Sequence, residues 1–246
     1  MLRYIGKRLL SLIPILIGIT FLSFALMHTS SADAVDIMEN NTGMVLSEQA
    51  KEQARKDMGL DRPFPEQYVI WLKNILSGDM GVSYVSGTPV LKMFLSKLPA
   101  TLLLTLTSIL LTIVLSVPLG VLSAVKKNSV CDYILRLFSF LGNSMPGFFV
   151  ALLLIYFFSV KMKLFPVMGS QDGIKSMILP TLTLSIAMVS KYTRQIRAVV
   201  LEEMNKDYIL GARARGIREK TILFASVLKS AMLTVVTLLS LSIGSL

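Results

Sequence analysis

The residues best suited to chemistry lie in the stretch DYILGARARGIREKTIL (residues 207–223), where Arg213, Arg215 and Arg218 stand among small side chains. A guanidinium stays charged at any working pH and grips carboxylates or phosphates through paired N–H groups, so this pattern points to binding rather than bond-making. Catalytic patterns are missing from the sequence. There is no H-E-x-x-H, no G-x-S-x-G and no pair of aspartates inside an apolar run, which argues against a protease or esterase. There is no G-x-x-x-x-G-K-[ST] either; the only Gly-Lys step, Gly6-Lys7, runs into Arg8, so ATP cannot be held through a P-loop and any such energy must enter through a partner. One cysteine, Cys131, and one histidine, His28, support neither a disulfide framework nor a metal site. The expectation is no catalytic residue, no metal and no cofactor in this chain.

The elements that must position the arginines are apolar. Of 246 residues 53% are hydrophobic and 16% charged, with mean hydropathy +0.67. Uncharged runs extend from Leu9 up to Asp33 and over 98–125, 137–160, 176–190 and 230–246. About 20 apolar residues in a helix cross a bilayer core, so the first three runs are each long enough for one span. The fourth is short but flanked by Lys175 and Lys191, which can reach toward the interfaces. The fifth is cut by the C-terminus. The first run follows Arg3, Lys7 and Arg8 like a signal peptide, yet it is long and lacks a small-residue cleavage site, so it reads as a retained span.

The net charge of +10 is unevenly spread. Residues 1–8 carry +3 and residues 125–136 carry +2, while residues 191–220 hold eight basic against four acidic residues. Residues 29–98 hold seven basic against nine acidic. Basic loops stay cytoplasmic, which puts the N-terminus, 125–136 and 191–220 inside and 29–98 and 159–176 outside. This distribution accounts for the basic balance without nucleic acid. The outer segment reads as folded. Tyr68, Trp71, Leu72, Ile75 and Leu76 form one helical stripe between Pro65 and Gly78, and 47–59 reads as a polar helix starting at Ser47.

Pro14, Pro118, Pro146 and Pro180 fall within the apolar runs, where each removes a backbone donor. GNSMPGFF (142–149) gathers an amide, a hydroxyl and a proline in an uncharged run, and such groups must face protein or water rather than lipid. Asn143, Ser144, Met145 and Pro146 are therefore the candidate lining of a translocation path. No charged residue lies in the middle of the first three spans, which argues against a proton-driven carrier.

Within the basic loop, residues 208–216 read as a short helix ended by Gly216. Small side chains at Gly211, Ala212, Ala214 and Gly216 allow another surface to come close. Arg213, Arg215 and Arg218 can pair with acidic groups or with anionic membrane lipid, and composition alone leaves both open.

The segment resembles the cytoplasmic coupling loop, or EAA loop, of ABC importer permeases. It is most similar to the peptide and nickel permease family through Tyr208, the core Ala212-Arg213-Ala214-Arg215-Gly216 and VLKSAML (227–233). MGLDRPFPEQYVIWL, GDMGVSY, GTPVL, LPATL, SVPLGVLSA, FLGNSMPGFF, LFPVMG and ILPTLTLSI match the same family in order, over nearly the whole chain. Leu210 stands where the loop motif has glutamate, Gly211 where it has alanine, and Lys229 where a proline is usual. The resemblance implies an all-α integral membrane protein of the type I ABC importer permease fold. Five spans are represented, the fifth incomplete, and the sixth lies beyond Leu246, as in a truncated chain.

It implies three parts: 1–28 with the first span, an extracytoplasmic helical segment 29–98, and a permease core 99–246 carrying the coupling loop at 191–222. It implies a multi-pass subunit of a bacterial or archaeal cytoplasmic membrane that takes up short peptides or nickel chelates. The implied partners are a second homologous permease, two ABC ATPases holding ATP and Mg²⁺, an extracytoplasmic binding protein and membrane lipid. Tyr208, Ile209, Gly211, Ala212, Arg213, Ala214, Arg215 and Gly216 are the implied ATPase-coupling residues. A non-transporting membrane scaffold or signalling subunit and an ATP-independent channel are the alternatives from other classes.

Overall fold

The computed structural model describes residues 2–29, 33–43, 46–167 and 173–243, and it forms two units that divide between Leu98 and Pro99. Among the described residues the regular structure is helical, apart from a single bridge between Val82 and Pro89.

In the first unit, α1 (Leu2–His28) exposes apolar side chains all round, from Ile5 to Leu26. Such a surface is stable in lipid and not in water. Helix α4 (Phe64–Leu76) packs on it through the expected stripe. Tyr68 is buried, its hydroxyl 3.0 Å from Thr20 Oγ1, and its ring meets Phe21 edge-on and stacks on Trp71. His28 lies edge-on to Phe64, a packing role. Leu76 departs from the stripe. It ends the helix and is 80% exposed, because Ser77 and Gly78 turn the chain away there.

Helix α3 (Glu48–Asp57) is capped by Ser47, as its sequence predicts. Helix α2 (Ala34–Thr42) was not expected. Asp33 caps it, accepting from the N–H groups of Val35 and Asp36, while Asp36 accepts from the N–H of Asp33. Arg55 Nε then reaches Asp33 at 2.6 Å and Lys51 reaches Glu39 at 2.7 Å, fastening α3 to α2.

The long helix α5 (Val90–Val125) begins in the first unit and runs from Pro99 onward in the second. There it is followed by α6 (Val130–Ser144), α7 (Gly147–Leu154) with a π-helical continuation Ile155–Lys161, and α8 (Lys175–Met204). Next come α9 (Asp207–Ala214), α10 (Glu219–Thr221), π-helical turns Ile222–Val227, and α11 (Leu228–Ile243). Among the described residues three helices are long and apolar enough to cross a membrane: Arg3–His28, Val90–Val125 and Glu219–Thr237. The run 137–160 is not one straight span. Met145 is extended, as a residue before proline prefers, and α6 and α7 meet at a bend of 103°. The pair counts as a fourth crossing if taken as one broken span. The fourth run, 176–190, is helical but belongs to the 30-residue α8, which carries Lys191, Arg194 and Arg197 onward and falls outside that group of apolar spans.

Two devices hold α8 in this unit. The first is a stripe of small residues on α5 (Ser108, Thr112, Ser116, Gly120 and Ala124), buried at four-residue spacing. Small side chains let helices in a membrane approach closely. A Cβ at Gly120 would stand 2.8 Å from Ile196 Cβ, and Ser185 Oγ donates to the Ser108 carbonyl. On α6, a Cβ at Gly142 would overlap Ser190 Oγ on α8.

The second device is ionic. Asp132 is fully buried and accepts from Arg197 through both oxygens at 2.8 Å, from Ser123 Oγ at 2.6 Å and from the Asn128 N–H at 3.0 Å. One carboxylate thereby joins α5, the α5–α6 turn, α6 and α8.

Candidate functional site

The basic segment 207–223 is built on the end of α8. After Met204 the chain turns and restarts as α9, with Asp207 in its first turn. Its end is a Schellman motif: the Ile217 N–H bonds the Ala212 carbonyl at 3.2 Å and the Gly216 N–H bonds the Arg213 carbonyl at 2.9 Å. Gly216 has φ +73°, a conformation an L side chain enters only with strain.

Helix α9 is fastened from both sides. Ile209, at 0% exposure, and Ala212 enter the core with Tyr192, Ile196, Val200, Ile222 and Val227. Arg213 forks onto Glu219 at 2.7 and 3.3 Å, bridging α9 to the start of α10. The Tyr208 hydroxyl donates to the buried Glu203, which also pairs with Lys206 Nζ at 2.6 Å. Lys206 first, and Tyr208 second, hold the Glu203 carboxyl below its usual range, so it stays ionised as an anchor.

These contacts sort the predicted coupling residues. Ile209 and Ala212 were expected among the partner-facing contacts. In this structure they point inward, because the eight-residue helix must bury one face against Val200 and Val227 to stay folded. Tyr208 and Arg213 are spent largely on fixing the helix within the chain. Leu210, at 51% exposure, faces outward with Ala214, Arg215, Gly216 and Ile217, and Gly211 lies at the edge of that face. The outward surface is therefore apolar and small in the middle and basic at Arg215.

The predicted path residues sit at the 103° bend between α6 and α7. Asn143 and Ser144 end α6, Met145 is extended and Pro146 caps α7. Asn143, Ser144 and Pro146 are exposed and Met145 half-buried, and none of the four lines either of two cavities in this unit. One of these, of about 370 Å³, lies between α5, α7 and α8, against Leu104, Ala151, Leu179 and Pro180. The other, of about 240 Å³, lies between α6 and α8 beside Arg197. Among the described residues no group of three or more His, Cys, Asp or Glu side chains could hold a metal ion.

Sequence reasoning missed the Asp132–Arg197 pair and the α5 stripe. The stripe was open to detection as small residues recurring every four positions from Ser108 to Ala124. The ion pair joins residues 65 apart, a separation that carries no local signal.

The chain matches the family of binding-protein-dependent transport system inner membrane components over residues 116–246. It matches the N-terminal membrane component of the same systems over residues 1–105. It is 39% identical to the oligopeptide transport system permease protein AppB of Bacillus subtilis, an alignment covering 100% of this chain and 80% of the relative. It is 33% identical to the dipeptide transport system permease protein DppB of Escherichia coli, covering 100% and 81%. It is 35% identical to the glutathione transport system permease protein GsiC of Pectobacterium atrosepticum, covering 100% and 79%. With its lipid-facing helices and the two family matches spanning nearly its full length, the chain belongs to the inner membrane components of binding-protein-dependent transport systems.

Proposed function

We propose that this protein is a permease subunit of an ATP-driven importer for short peptides. The observation that carries the reading is the similarity to oligopeptide, dipeptide and glutathione permeases across the whole chain. Those relatives favour peptides over nickel chelates as cargo. The working assembly contains a second homologous permease, two ATPases that bind ATP and Mg²⁺, and an extracytoplasmic binding protein. The N-terminus lies in the cytoplasm of a bacterial or archaeal cell, with 29–98 outside as the cap and 99–246 as the permease core.

Helix α9 is the coupling element. Its inward residues Ile209 and Ala212 key it to the core formed with Val200 of α8 and the π-helical turns Ile222–Val227, and Arg213 and Tyr208 brace its two ends. Leu210, Gly211, Ala214, Arg215 and Gly216 enter the groove of an ATPase. Because α9 is braced on both sides, closure of the ATPases moves it with α8 as one body, which suits a switch between two packings. The break at Asn143, Ser144, Met145 and Pro146 faces the path. Its exposed amide and hydroxyl are costly against lipid and acceptable against water, cargo or the second permease.

Purification of the tagged protein from its own membranes tests the assembly. The proposal expects a P-loop ATPase and a second permease to co-purify, and expects Leu210→Arg to release the ATPase while the second permease stays. Retention of the ATPase by Leu210→Arg would remove α9 as the coupling element.

A further inference from the structure

Between α6 and α8, toward the end of α8 that leads into α9, lies the cavity of about 240 Å³ beside Arg197. Its lining is unusual for a lipid-facing protein. Arg136, Arg194 and Arg197 contribute three guanidinium groups, while Ser139 and Thr193 contribute two buried hydroxyls. Leu135 and Phe140 supply the apolar part.

The charges do not cancel. Arg197 gives its fork to Asp132, and Arg136 approaches the same carboxylate only at 3.6 Å. Asp132 is thus shared by Arg197 and Arg136, and Arg194 adds a third guanidinium to the lining. Arg136 is braced over the Tyr133 ring at 4.4 Å, and Arg194 is exposed and makes no ion pair among the described residues. Thr193, a residue 3% exposed, lines the cavity, and its buried hydroxyl has no hydrogen-bond partner among the described residues. A buried hydroxyl without a partner is costly, so a ligand bearing acceptor oxygens would satisfy a real deficit.

The matching chemistry is a phosphate ester: singly charged, rich in acceptors, and suited to paired guanidinium donors. The surroundings choose its source. Phe140 is 62% exposed, and Leu137 and Leu141 continue an exposed apolar face on the same helix. A soluble anion gains nothing from that face, whereas acyl chains lie along it. We infer that the cavity between α6 and α8 is a binding site for the phosphodiester headgroup of an anionic phospholipid. Arg136 and Arg194 clamp the phosphate, and Thr193 and Ser139 donate to its oxygens. The site sits on the Asp132–Arg197 anchor of α8, so a bound lipid would also stiffen the helix that carries α9. It rests on membrane residence alone and is independent of cargo and ATPase.

The experiment uses the full protein, purified with whatever subunits accompany it, and the variant Arg136→Gln/Arg194→Gln. Both are loaded with phosphatidylglycerol or phosphatidylcholine in mixed micelles, and bound lipid is counted by native mass spectrometry. The expected result is selective retention of phosphatidylglycerol, weakened about 30-fold in the double variant, since each arginine near an anionic headgroup is worth roughly a factor of five. Arg136→Lys/Arg194→Lys, which keeps both charges, retains most of it, and unchanged gel-filtration behaviour of all variants confirms folding. Equal retention of the two lipids would overturn the inference, and so would undiminished phosphatidylglycerol in the glutamine variant. Displacement of the lipid by millimolar inorganic phosphate would assign the cavity to a soluble anion and overturn the lipid assignment.

Discussion

The pair Asp132–Arg197 offers the sharpest test of how α8 is held. The carboxylate has no exposed surface and accepts four hydrogen bonds, two of them from one guanidinium fork. The guanidinium is itself only 18% exposed. Removing one member of such a pair strands a buried charge and costs about 3–5 kcal/mol, whereas replacing both by apolar groups is often nearly neutral. Asp132→Asn keeps one acceptor for Ser123 or the Asn128 N–H, so its cost falls near ~3 kcal/mol at the lower end of that range. Arg197→Met leaves the carboxylate with Ser123, Asn128 and only the longer 3.6 Å approach of the half-exposed Arg136 as counter-charge, and costs a similar ~3 kcal/mol, at the lower end of that range.

The double variant should then lose no more than the worse single, giving a coupling energy of about 3 kcal/mol. The assay is reversible unfolding of the full protein in mixed micelles at increasing denaturing detergent, for the wild type, both singles and the double. Additive losses, or singles that each cost less than about 0.5 kcal/mol, would refute the claim that this pair holds α8 to α5 and α6.

Gly142→Ala places a methyl group onto Ser190 and should cost about 1–3 kcal/mol as α6 and α8 separate, with Ser190→Gly restoring most of it; the same unfolding assay reads both. Gly216→Ala puts an L residue at φ +73° and should cost about 1 kcal/mol, visible as faster amide exchange at Gly216 and Ile217. In the first unit, Lys51 and then the Leu46 N–H hold the Glu39 carboxyl below its usual range. A carboxyl depressed on folding stabilises above its unfolded pKa and loses that contribution as pH falls through the lower folded value. Amide exchange in α2 and α3 should therefore speed up below about pH 4 in the wild type, and Lys51→Met should show weaker protection already at neutral pH with a flatter pH response.

Local rules carried the sequence reading where the deciding contacts are local. Ser47 starts α3, Gly216 ends α9, and the Tyr68 stripe faces inward because capping and periodicity act within a few residues. Where the deciding contact is distant, the same rules left the answer open. Helix α9 has small or apolar groups on both sides, and only Val200, Ile222 and Val227 decide that Ile209 and Ala212 turn inward while Leu210 turns out. Asp132 reads as one acid in a basic loop until Arg197 is brought beside it. The bend at Met145 and Pro146 was legible in kind, since a proline inside an apolar run removes a donor, but its angle is set by the packing of α6 and α7 on α8. Helix α2 was missed because its capping aspartates look like ordinary surface acids without Arg55 against them.

The central claim is that the outward face of α9 couples this permease to an ATP-driven partner. The most direct measurement is uptake of a labelled short peptide by vesicles holding the complete transport assembly with its binding protein, with and without internal ATP, for the wild type and Leu210→Arg. The account predicts uptake only with ATP, abolished by Leu210→Arg while the permease stays folded and membrane-inserted. Uptake that proceeds without ATP, or that survives Leu210→Arg undiminished, would contradict it.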